Sequence, residues 1–111
     1  MARKKLERNF QAKLIKELEE RFPDALVTKF DCKQGWPDIL IFKGNRWASL
    51  ECKREEDSEH QANQDYYVEL MDKMSFSRFI FPENKEEVLN DLAQVLQTGR
   101  ATRRNTRGKQ T

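Results

Sequence analysis

Apolar residues return every four positions near the start of the chain: Leu6, Phe10, Leu14, Leu18 and Phe22, with Ile15 alongside. That period predicts an amphipathic helix over residues 4–21, which Pro23 helps to end. The pattern then shortens. ALVTKF (25–30) fits a short strand, and the apolar, β-branched run DILIF (38–42) fits a stronger one. Lys43-Gly44-Asn45-Arg46 supplies a Gly-Asn turn, from which RWASLECK (46–53) returns as the hairpin partner. After the charged stretch REEDSE, Ser58 and Gln61 stand at capping-box spacing. They predict a helix from near Glu59 to Lys73 that buries Tyr67, Leu70, Met71 and Met74. FSRFIF (76–81) reads as another strand. Asn84 and Glu87 repeat the capping spacing before a last helix, with Val88, Leu89, Leu92, Val95 and Leu96 as its apolar face and Gly99 as its terminator. The order is α-β-β-β-α-β-α. A strand–helix–strand crossover after a hairpin implies an α/β fold with a mixed central sheet flanked by helices.

The 111 residues suffice for one domain with one core. We expect that domain to occupy residues 1–97, followed by a basic, flexible tail over 98–111. No apolar run approaches the length of a membrane span, and MARKKLERNF lacks the apolar segment of a secretory signal. Cys32 and Cys52 are too few for a disulfide scaffold, and no Cys/His set has zinc spacing. Reduced thiols in an intracellular, cytoplasmic protein are expected. The net charge of +2 is uneven. The tail carries Arg100, Arg103, Arg104, Arg107 and Lys109 with no acid, so the body is mildly acidic. A basic tail on such a body suggests a polyanionic partner, nucleic acid first.

The hairpin also carries chemistry. Asp38 stands about six residues before the turn and Glu51 about six after it, so antiparallel pairing brings them together. Lys53 shares the face of Glu51, because side chains alternate along a strand. Two adjacent carboxylates resist ionising together unless a cation lies between them, and a hard divalent ion takes oxygen ligands. An amine beside such a pair suits hydrolysis of a phosphodiester, where negative charge builds in the transition state. In a chain this rich in charge, an acid–X–Lys triplet taken alone is an ordinary solvated strand end. The hairpin context makes it a candidate site.

Pro37-Asp38 followed by Glu51-Cys52-Lys53 resembles the signature of the PD-(D/E)XK nuclease superfamily. Gly35-Trp36-Pro37-Asp38 and the stretch from Ser58 to Gln64 look like the VRR-NUC and Holliday-junction-resolvase-like branches, which include small phage proteins. The similarity covers roughly residues 5–81. It implies a restriction-endonuclease-like core of order α-β-β-β-α-β, with the last helix added. It also implies Mg²⁺ or Mn²⁺ held by Asp38, Glu51 and the carbonyl of Cys52, Lys53 acting on the attacking water, and Gln64 pointing toward Lys53 or the scissile phosphate. A further carboxylate from the first helix is implied. Glu7, four before Gln11, is the preferred candidate, with Glu17 and Glu20 as rivals. On this reading the protein is a metal-dependent DNA endonuclease. The alternative is a DNA-binding accessory protein that keeps the fold without catalysis.

Arg3, Lys4, Lys5 and the five tail cations are expected phosphate contacts, which confer affinity rather than sequence choice. No base-reading helix stands out, so branched or junction DNA is the expected partner, selected by shape. A two-fold homodimer would suit it, using the spare apolar face of the last helix or the outer side of the first. His60 is expected to be solvated and Trp36 to pack into the core. Trp47 is left open between core and contact surface.

Overall fold

Lys43 pairs with Arg46 around a two-residue turn in which Gly44 alone has a positive φ, +63°. Glycine at the first central position is what a type II′ hairpin turn requires. The turn fixes the register of the whole sheet. In the computed structural model, which describes the backbone of residues 2–30 and 33–105 and the side chains of 7–30 and 33–97, that hairpin joins β2 (Ile39–Lys43) to β3 (Arg46–Cys52). β1 (Leu26–Lys29) pairs antiparallel with β2, and β4 (Ser77–Ile80) runs parallel to β3, so the order is β1-β2-β3-β4. The parallel step is made by α2 (Ala62–Met74), while α1 (Ala2–Arg21) precedes the sheet and α3 (Lys85–Asn105) follows it. This is the expected α/β architecture, a four-stranded mixed sheet flanked by helices.

α1 and α3 cover one face of the sheet and α2 the other. The first face is the core. Leu14, Leu18 and Phe22 from α1 meet Ile39, Ile41, Ala48, Leu50, Cys52 and Ile80 from the strands and Val88, Leu89, Leu92 and Leu96 from α3. Each of the larger side chains among them, Val, Leu, Ile or Phe, contributes about 1.5–3 kcal/mol by leaving water. On the second face α2 packs mainly against β3 and β4. Its buried residue is Val68, and a hydroxyl pair, Ser49 Oγ to Ser77 Oγ at 2.8 Å, lies beneath it. The β1–β2 half of that face is uncovered, which leaves Leu26 and its cross-strand partner Phe42 exposed.

Several sequence expectations need correction. α2 begins at Ala62, not near Glu59. The box forms between Gln61 and Gln64, the Gln61 N–H donating to Gln64 Oε1 at 3.1 Å, whereas Ser58 Oγ accepts from Glu55 N–H in the preceding turn. Met74 is 65% exposed and Tyr67, Leu70 and Met71 only half-buried, because the helix overhangs two strands rather than the full sheet. Asn84 serves a short 3₁₀ turn at Pro82–Asn84, accepting from Phe81 N–H, instead of a box with Glu87. α3 passes through Gly99 to Asn105, across the expected domain boundary. Val88, Leu89, Leu92 and Leu96 of α3 are buried in the core. No helix among the described residues is long and apolar enough to cross a membrane.

Candidate functional site

Asp38 lies immediately before β2, and its own N–H donates to Leu50 O at 3.0 Å. That bond extends the ladder by one residue and sets Asp38 opposite the end of β3. Its Oδ2 accepts from the Cys52 N–H at 2.9 Å, which locks the carboxylate against the strand that carries Glu51. The hairpin therefore brings the two acids together, as the spacing predicts. β3 is an inner strand and not an edge, so Glu51 is only 3% exposed and Lys53 5%.

Lys53 does not touch the carboxylates directly. Its Nζ donates to Gln64 Oε1 at 2.8 Å and to the Glu59 carbonyl at 3.1 Å. Gln64 Nε2 in turn donates to Glu51 Oε2 at 2.9 Å. One amide thus joins amine to acid, and the capping contact from Gln61 N–H holds that amide at the third position of α2. The other Glu51 oxygen, Oε1, is buried with no hydrogen-bond partner. A buried acceptor left unpaired costs roughly 1–3 kcal/mol, so the position calls for a proton or a cation.

The electrostatics agree. Burial pushes the Glu51 carboxyl up to about 8, the nearby Asp38 charge adds to the rise, and Lys53 offsets only part of it. Asp38 is also raised, first by burial and then by Glu7, against the lowering effect of the Cys52 N–H and Lys53. Burial and the same carboxylates push the Cys52 thiol far up, which disfavours its thiolate.

Glu7 reaches the site. With Arg8, Gln11, Asp38 and Cys52 it lines a cleft of about 210 Å³. The rival acids lie elsewhere. Glu17 bridges Arg21 at 2.9 Å and Lys85 at 2.8 Å, tying α1 to α3, and Lys85 lowers its pKa; Glu20 is exposed. The donors suit a hard divalent cation: oxygen ligands, an orphaned buried carboxylate atom, and acids whose repulsion a cation would relieve. Among the described residues no three His, Cys, Asp or Glu side chains form a ready-made cage, so waters and the Cys52 carbonyl would complete the coordination.

Sequence reasoning missed two participants. The Glu59 carbonyl carries no side-chain signal, and Arg8 could have been found only as the helical neighbour of Glu7. His60 is exposed, as expected, with Nδ1 2.8 Å from Asp65 Oδ1 and its ring stacked on Phe79 at 4.0 Å. Trp36 is half-buried in an aromatic group beside the site, not in the main core. Trp47 is half-buried, its carbonyl accepting from Ser75 Oγ. The side chains of Arg3, Lys4, Lys5, Arg100, Arg103 and Arg104, and all of Arg107 and Lys109, lie outside the described residues.

No family model matches the chain, and no curated protein or solved structure is significantly similar to it.

Proposed function

We propose that this chain is a metal-dependent DNA endonuclease that hydrolyses phosphodiester bonds and selects DNA by branched structure rather than by sequence. The observation that carries the reading is the buried Asp38–Glu51 pair, one oxygen unpartnered, with Lys53 held beside it through Gln64. Mg²⁺ or Mn²⁺, held by Asp38, Glu51 and the Cys52 carbonyl with Glu7 as a further acid, would polarise a phosphate oxygen and lower the pKa of a bound water. Lys53 offers positive charge where the phosphate gains negative charge, and it orients water through its remaining N–H. Gln64 fixes the distance between amine and acid. Arg8, the N-terminal cations and the tail attract the DNA backbone.

The test is a cleavage panel of duplex, single strand, flap, fork and four-way junction with Mg²⁺, Mn²⁺ or chelator. Asp38→Asn, Glu51→Gln and Lys53→Ala should each lower cleavage by at least ~100-fold while leaving the fold intact. Glu51→Gln cutting as fast as the parent would remove the assignment. The competing reading is a non-catalytic DNA-binding protein that keeps the fold. Calorimetric titration with Mn²⁺ separates the two, since a simple binder has no specific divalent site. Pairing of two copies is part of the same proposal. With Val88, Leu89, Leu92 and Leu96 of α3 in the core, the exposed Leu26–Phe42 strip is the surface we assign to it.

A further inference from the structure

A second group of residues adjoins the carboxylates without serving them. Gly35 has φ +92°, and a Cβ there would meet the Asn63 side chain at 2.6 Å. Only glycine allows the loop before Asp38 to close this tightly on the first turn of α2. Asn63 is the residue before Gln64, so the loop is pinned beside the site. Beside that closure four aromatic rings run in series. Phe30 packs on Trp36 at 4.9 Å, Trp36 meets Tyr67 edge-on at 5.8 Å, and Tyr67 meets Tyr66 at 5.0 Å. Within the series Trp36 lies two residues before Asp38 and Tyr67 three after Gln64, and the track ends at Tyr66, which is 59% exposed. Lys33 Nζ stands 5.7 Å from the Trp36 ring.

Packing accounts for the inner rings but not for Tyr66, which buries little. An exposed aromatic at the end of a ring track, with a cation beside one of its inner rings, offers what an unpaired nucleotide needs: a face for the base and a charge for its phosphate. A base stacked within a duplex has no free face to offer. We propose that Trp36, Tyr67 and Tyr66, with Lys33, form a stacking subsite for unpaired nucleobases next to the phosphate held by Asp38 and Glu51. This rests on the nuclease reading and deepens it: substrates with a displaced or single-stranded segment at the cut are preferred over continuous duplex.

The experiment measures binding in chelator, independent of cleavage. In a Trp47→Phe background Trp36 is the sole tryptophan. A short single-stranded oligonucleotide should quench its fluorescence, and a blunt duplex of the same sequence should not. Tyr66→Ala should weaken binding to a forked oligonucleotide by ~10-fold, the size of one lost stacking contact, and collapse the fork-over-duplex ratio. Tyr66→Phe should restore both. Unmoved Trp36 emission on saturation with the single strand, or Tyr66→Ala discriminating fork from duplex as well as the parent, overturns the subsite. Quenching by a protein that cleaves nothing would retain the subsite and reject the nuclease reading. Cleavage with Tyr66→Ala discrimination intact would do the reverse.

Discussion

Replacing Glu51 by Gln should stabilise the protein when no divalent ion is present. Glu51 is 3% exposed, and its carboxyl is raised from an ordinary 4.5 to about 8, first by burial and then by Asp38. A raised folded-state pKa means that folding takes up a proton. The favourable contribution is complete below pH 4.5 and is lost as pH rises toward 8. Near pH 7 the loss is about 1.4 kcal/mol for each pH unit above 4.5, or roughly 3 kcal/mol. Glutamine has the same shape, keeps an oxygen for Gln64 Nε2 and presents an N–H₂ toward Asp38 without ionising. For a domain of this size the gain corresponds to a rise in Tm on the order of 10 °C. Thermal denaturation of both proteins in chelator, at pH 4.5 and pH 7.5, tests it. The difference should nearly vanish at the lower pH and open at the higher. A Glu51→Gln variant that melts at or below the parent at pH 7.5 would refute the buried-acid account. Saturating Mn²⁺ should narrow the gap, because the parent gains more from the ion.

Gln64→Ala should slow cleavage by ~10–100-fold, since it releases Lys53 Nζ and Glu51 Oε2 together; single-turnover rates with excess enzyme check this. Leu18→Ala empties a fully buried position between α1 and the sheet and should cost about 2–5 kcal/mol, read by urea denaturation. Sedimentation at micromolar concentration should give a dimer mass that Phe42→Lys shifts to monomer. A parent protein already monomeric there would count against pairing through the β1–β2 face.

Where chemistry is local, the sequence was readable. Gly44 dictates the turn, the turn dictates that Ile39 faces Leu50, and the meeting of Asp38 with Glu51 follows by counting. Gln64 as a neighbour of Lys53 came from the resemblance, because the helix start read from the sequence lies three residues too early. What depends on coverage was not. Met74 looks like a core residue by period, but α2 is too narrow to shelter it. Ser58 has cap chemistry and the box spacing to Gln61, but its Oγ is taken by Glu55 N–H in the preceding turn, and the helix starts at Gln61 instead. Gly99 is a common helix terminator, yet it ends nothing unless the chain turns away, and here α3 continues. The ExK triplet reads as a solvated edge until β4 is seen to close over β3.

The groups of the candidate site other than Glu7 and Arg8 all fall between residues 38 and 64, a hairpin and the start of one crossover. α1 and α3 roof the sheet from the opposite side. Such a segment is portable. Grafted onto another mixed sheet with the same turn and helix start, it would keep its internal spacing, while the strands and helices around it remained free to change what is admitted to it.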